Sequence, residues 1–179
     1  AKPAAGNDAK EESLRQTAAR TLNSLGVAYF EKQQFPKAIA AFEDALKYDP
    51  ANPDMRTNLG MVYFQQGQFN KVVETLKEVS ITRPTDQRVL TALAVAHFAE
   101  GRYNEASSFY ERLAPLVPND PVLRITLAVA SQLAKRPDAA RLLQQLPQDA
   151  ETQAQYHITL ADAYRRRQQL SAGIVEYEK

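Results

Sequence analysis

Apolar residues recur along this chain in a pattern that itself repeats. The segments Leu25-Gly26-Val27-Ala28-Tyr29, Leu59-Gly60-Met61-Val62-Tyr63, Leu93-Ala94-Val95-Ala96-His97, Leu127-Ala128-Val129-Ala130-Ser131 and Leu160-Ala161-Asp162-Ala163-Tyr164 begin 34, 34, 34 and 33 residues apart. A fixed period of this length is the mark of a stacked array, in which one unit cannot bury its apolar face alone. Inside each period two stripes follow helical spacing. In the first unit Leu22, Leu25, Gly26, Tyr29 and Phe30 form one, and Ala38, Ala41, Phe42 and Ala45 form the other. Each unit is therefore read as two helices joined by a short turn.

Start and stop signals divide the chain further. Asn52-Pro53, Asp86, Asp120-Pro121 and Asp149 are placed to begin the first helix of a unit, and Pro50, Pro84 and Pro118 follow the helix that has just ended. Before the second helices, Asn70, Asn104, Asp138 and Ser171 are expected as caps, with Phe69, Tyr103 and Leu170 ahead of three of them as staples, while Pro36 takes an early helical position. About ten helices result, in units of about 19–52, 53–86, 87–120, 121–153 and 154–179. Residues 1–11 are small and polar without periodicity and read as a flexible linker, leaving 12–179 as one solenoid. The pattern is still running at Lys179, so further repeats are expected beyond it.

These residues resemble the tetratricopeptide repeat. That family's pattern of Leu-Gly, Tyr, Ala, Phe, Ala and Pro is met in the first unit by Leu25, Gly26, Tyr29, Ala38, Phe42, Ala45 and Pro50, in the second by Leu59, Gly60, Tyr63, Val72, Leu76, Val79 and Pro84, and in the third by Leu93, Ala94, His97, Ala106, Tyr110, Leu113 and Pro118. The chain has no Trp, so the family's first aromatic is replaced by Leu22, Arg56, Leu90, Arg124 and His157. The fourth unit departs most, with Ser131 for the aromatic, Gln144 for a large apolar residue and Pro147 ending its helix early. The resemblance implies an all-α, right-handed superhelical solenoid of antiparallel helix pairs. Gly26, Gly60, Ala94, Ala128 and Ala161 fall where the two helices of a unit must approach, and a larger side chain there would drive them apart.

Composition narrows the function. The 22 basic and 21 acidic residues interleave to a net charge of +1, which removes the electrostatic footprint of a nucleic acid binder. No apolar run reaches the 18 or so residues that cross a bilayer. Without Cys there is no disulfide, thiolate metal site or cysteine nucleophile. His97 and His157 occupy packing positions and have no second ligand at metal spacing. Adjacent carboxylates such as Glu11-Glu12 and Glu43-Asp44 point to different sides of a helix, no glycine-rich phosphate loop is present, and Arg165-Arg166-Arg167 reads as favourable charge at a helix C-terminus. No cofactor, metal or catalytic residue is expected.

What remains is a surface. In the family it resembles, the first helix of each repeat faces a concave groove. Projected onto it are Asn23, Thr57, Thr91, Ile125 and Ile158; Ser24, Asn58, Ala92, Thr126 and Thr159; Val27, Met61, Val95, Val129 and Asp162; and Phe30, Phe64, Phe98 and Gln132. A largely apolar exposed groove is expected to bind another protein or peptide, laid in as a helix or an extended segment. Val27, Phe30, Met61, Phe64, Val95 and Phe98 would supply affinity, and Asn23, Thr57, Asn58, Arg88 and Thr91 would orient the bound backbone. Some members of the family clamp the acidic tails of cytosolic chaperones with Lys, Asn and Arg; at the matching positions stand Asn23, Val27, Asn58, Arg88 and Ala92, so that clamp is incomplete. The expected role is a scaffold or assembly factor. Homo-oligomerisation, and regulation of a catalytic domain elsewhere in a longer protein, are the alternatives. The Ala- and Gln-rich style leans slightly toward a bacterial periplasmic or membrane-tethered parent protein.

Overall fold

Each expected hairpin turn is closed by the same backbone device. The computed structural model describes residues 5–166 and residue 176, with side chains from residue 9 onward. At the end of each of the first four units' leading helices one residue takes a left-handed conformation: Gln33 (φ 55°), Gly67 (φ 66°), Gly101 (φ 73°) and Lys135 (φ 56°). Around it two amides turn back. Gln34 N donates to Tyr29 O at 2.9 Å and Gln33 N to Phe30 O at 2.8 Å, and the pairs Gln68–Tyr63 with Gly67–Phe64, Arg102–His97 with Gly101–Phe98, and Arg136–Ser131 with Lys135–Gln132 reproduce them. This is the Schellman ending.

Among the described residues there are ten α-helices, one 3-10 turn and no strand: α1 (Ala5–Glu31), α2 (Phe35–Tyr48), α3 (Pro53–Gln65), α4 (Phe69–Leu76), α5 (Val79–Thr82), α6 (Gln87–Ala99), α7 (Tyr103–Leu113) with the turn Ala114–Leu116, α8 (Pro121–Leu133), α9 (Ala139–Gln144) and α10 (Ala150–Arg166). The fold is all-α, built of helix pairs. The ten are distributed differently from five plain pairs: the second helix of the second unit is split into α4 and α5, and the expected second helix of the fifth unit, with Ser171, lies outside the described residues. Residues 5–11, expected as linker, are instead the first turns of α1. Ala5, Ala9, Lys10 and Glu11 are strong helix formers, while Gly6, Asn7 and Asp8 fall in the first turn, where such residues are tolerated.

Caps divide into two kinds. Ahead of the first helices the side chains act as expected: Asn52 accepts from Asp54 N and Met55 N, Asp86 from Arg88 N and Val89 N, Asp120 from Leu123 N, and Asp149 from Thr152 N. Ahead of the second helices they do not. The capping positions of α2, α4 and α7 are Gln34, Gln68 and Arg102, without side-chain caps, so Asn70 and Asn104 lie inside the first turn. Asp138 does precede α9, but its carboxylate accepts from Arg136 Nε at 3.2 Å instead. The Schellman turn already fixes the chain's entry into these helices.

The contacts group into two compact units, Ala1–Thr82 and Arg83–Lys179. In the first, α1 packs on α2, α2 on α3 and α3 on α4. An ideal Cβ built on Gly26 would lie 2.6 Å from Phe42 Cε1, and one on Gly60 would lie 2.5 Å from Leu76 Cδ2. Glycine is required at both places by contact. Ala19, Ala45 and Met55 continue this core with Leu22 and Leu46 against them. In the second unit Leu90, Ala94, Ala106, Tyr110, Leu113, Leu123, Leu127 and Ala130 form one cluster, and Ile125, Ala128, Val129, Leu146, Tyr156 and Leu160 another. Gln144, which stands where Phe42, Leu76 and Tyr110 stand in other units, is exposed, and buried Leu146 fills the space.

The left-handed turn residues yield a prediction with opposite signs. No atom lies within 4 Å of a Cβ added to Gly67 or Gly101, so only backbone strain opposes a side chain there. Gly67→Ala is expected to destabilise by about 1 kcal/mol, and Gln33→Gly and Lys135→Gly to stabilise by up to about 1 kcal/mol each. Urea midpoints check this; equal midpoints for all three variants and the parent would contradict the turn assignment.

Candidate functional site

The first helices place the expected residues unevenly. In the unit Ala1–Thr82, α1 and α3 carry Asn23, Val27, Phe30, Asn58, Met61 and Phe64 half-buried. Asn58 Nδ2 donates to Asn23 Oδ1 at 3.0 Å, so these two amides hold one helix against the other. Phe30 packs on Phe35 with ring centroids 6.0 Å apart, and Phe64 on Phe69 at 6.3 Å. Thr57, expected on the groove, lies inside. It is fully buried and its hydroxyl donates to Pro53 O at 2.7 Å, so it cannot orient a ligand.

In the unit Arg83–Lys179, Arg88 and Thr91 of α6 are exposed and Val95 and Phe98 half-buried. Arg88 Nε lies 3.9 Å from Asp86 Oδ1, a loose surface pair. Phe98 meets Tyr103 edge-on at 5.3 Å and packs against both clusters of this unit, which makes it a structural anchor as much as a surface group. Three other positions of the expected rows are closed: Ala92, Ile125 and Val129 are buried, the last two in the cluster with Tyr156 and Leu160 of α10. Ile158 remains 43% exposed. Gln132 accepts from the Tyr156 hydroxyl, and Asp162 pairs with Arg165 at 3.0 Å.

The open apolar surface is therefore narrower than the sequence rows. Val27 and Met61 in one unit and Val95 in the other keep the same place in the period and are each part open. Among the described residues no three His, Asp or Glu side chains gather at a metal-binding distance, and no helix is long and apolar enough to cross a membrane.

The two histidines serve packing. His157 Nδ1 lies 2.7 Å from Glu176 Oε2. His97 is buried, stacks on Phe109 with centroids 5.4 Å apart, and leaves Nδ1 without a hydrogen-bond partner. Burial, and secondarily the Arg102 charge, holds it below its ordinary value of 6.5, while Glu105 opposes the shift. The folded chain thus refuses a proton that the unfolded chain accepts. Stability contributed at this site is intact above pH 6.5 and falls as pH drops below it, and His97→Phe is expected to flatten the curve between pH 7 and 5. An unchanged pH dependence in denaturant titrations of that variant would assign the effect elsewhere. The sequence signal for this residue was its position, where other units carry Tyr.

Known proteins share this architecture. MamA 41-end from Desulfovibrio magneticus RS-1 superposes with a TM-score of 0.66 at 13% identity, covering 90% of this chain and 92% of that one. TTC0263, a thermophilic TPR protein in Thermus thermophilus, gives 0.53 at 22% identity, covering 90% and 89%. The first TPR of Spaghetti (RPAP3), bound to the HSP90 peptide SRMEEVD, gives 0.59 at 25% identity, covering 67% and 95%. No curated protein sequence matches. The sequence profile of the tetratricopeptide repeat matches residues 29–96 and 97–163, three quarters of the chain, and its spacing is that of the hairpins described above. The chain belongs to the tetratricopeptide repeat family.

Proposed function

We propose that this chain is a non-catalytic scaffold that binds a helix or extended segment of another protein on the faces of its first helices. The observation that carries the reading is the register of Val27, Met61 and Val95, part-open apolar side chains spaced by the repeat on successive first helices. A desolvated aliphatic contact of this kind contributes roughly 1–2 kcal/mol, so several are needed for micromolar binding. The peptide held by the Spaghetti repeat domain supports the general mode. An acidic tail is the wrong ligand here. Asn23, which stands where the clamp needs a Lys, is engaged with Asn58, and Ala92, which stands where it needs an Arg, is buried. The preferred segment is apolar, and on α6 of the unit Arg83–Lys179 Arg88 is exposed.

Selection from a displayed library of random peptides tests the proposal. Enriched peptides are expected to carry apolar residues at three- and four-residue spacing and to lose at least tenfold in affinity to Met61→Glu where they bind the unit Ala1–Thr82, or to Val95→Glu where they bind the unit Arg83–Lys179. Peptide SRMEEVD is expected not to bind. Enrichment of acidic C-termini, or full affinity in both variants, would sink the reading.

A further inference from the structure

We propose that α1 pairs antiparallel with α1 of a second copy of this chain, through a stripe formed by Leu14, Ala18, Thr21, Leu25 and Ala28. Thr21, Leu25 and Ala28 correspond, one or more periods on, to Met55, Leu59 and Val62 of α3, to Leu123, Leu127 and Ala130 of α8, and to Tyr156, Leu160 and Ala163 of α10. All nine of those are buried. In α8 the cover is the preceding second helix, whose Ala106, Tyr110 and Leu113 share one cluster with Leu123, Leu127 and Ala130, and in α3 Met55 is covered by Ala45 of α2. In α1 the same face is open: Thr21, Leu25 and Ala28 are exposed, Leu25 by 43%, and Leu14 by 62%. Gly26 and Ala19 show that α2 and α3 pack on its other sides.

What covers it follows from the length and spacing of the stripe. It advances by four, three, four and three residues, the seam of a coiled coil. It also starts with Leu14, ahead of the repeat register, on a helix of 27 residues where α3, α6 and α8 have 13. The seam is about 21 Å long, and Leu14, Ala18, Thr21 and Leu25 of a second α1 pair with the same four residues, leaving Ala28 opposite the second copy's Glu11. In the antiparallel register Leu14 meets the second copy's Leu25, and Ala18 meets the second copy's Thr21, whose hydroxyl is already turned back onto its own Thr17 O at 2.9 Å. Charge selects this direction. A parallel pair would set Glu11 against Glu11 and Lys32 against Lys32 on the seam, whereas the antiparallel pair brings Lys10 beside Glu31. So short a seam gives a weak dimer. Val27 is not one of the seam residues, so the pairing stands independently of peptide binding.

Sedimentation of the whole chain over a concentration series tests the pairing. The expected result is a shift from one to two chain masses with rising concentration, and its loss in Leu14→Glu/Leu25→Glu with an unchanged helical spectrum. The absence of Cys permits a second test that needs no charged residue. A mixture of the Leu14→Cys and Leu25→Cys proteins is expected to oxidise to a mixed disulfide dimer, with neither protein linking efficiently alone. A monomer at every concentration, a dimer untouched by the double substitution, or efficient self-linking of Leu14→Cys would overturn the proposal.

Discussion

Phe42→Ala is expected to cost about 3–5 kcal/mol, the range for emptying an aromatic site in a closed core. Phe42 is 1% exposed and its ring lies directly beneath Gly26, with Cε1, Cδ1 and Cζ all within 3 Å of where a Cβ would be. Glycine has no side chain to move into the space vacated, so the cavity persists. For a chain of this size the melting midpoint falls by roughly 2–4 °C per kcal/mol, or on the order of 10 °C here. The loss is expected to fall on α1 and α2 first, since repeat units draw stability from their neighbours. Guanidinium unfolding followed by hydrogen exchange reads both effects. A loss under about 1 kcal/mol would mean that the ring is not closed in as described.

The complementary change approaches the equivalent contact from the other helix. Gly60→Leu is expected to destabilise by about 1–3 kcal/mol through overpacking. Even a methyl group at Gly60 would come within 2.5 Å of Leu76 Cδ2 and 2.6 Å of its Cγ, and Leu76 is fully buried, with no solvent to retreat into. The two positions should therefore be coupled. Gly60→Ala/Leu76→Ala is expected to cost less than the sum of its single changes, because the added methyl occupies part of the space released. Thermal melts of the parent, the two alanine variants, their double and Gly60→Leu complete the test. A melting temperature unchanged by Gly60→Leu, or strict additivity in the cycle, would contradict the close approach of α3 and α4.

The hairpins were legible because the physics that makes them is local and periodic. Leu25, Gly26, Tyr29 and their equivalents encode the helix, the contact and the offset together, and Asn52, Asp86 and Asp120 cap as their positions demand. The binding surface was only half legible. Thr57 reads as a surface residue because it is polar, yet back-bonding to Pro53 O satisfies its hydroxyl and lets the side chain go inside. Ile125 and Val129 are lost to the surface for a different reason: a first helix inside the stack has apolar neighbours on more than one side, so its buried stripe is wider than a single amphipathic face. Asn70 and Asn104 misled because a Schellman turn leaves a second helix no need of a side-chain cap. Gln33 and Lys135 carried a signal only through their offset from Gly67 and Gly101. The helical start of α1 had none beyond composition.

The central claim is that the first helices present the surface a partner occupies. Nuclear magnetic resonance of the labelled chain, titrated with an apolar peptide enriched from the library, tests it at residue resolution. The expected result is a set of saturable shifts centred on the amides and methyls of Val27 and Met61 in one unit or of Val95 in the other, with α2, α4 and α7 unmoved. Shifts confined to those second helices would contradict it.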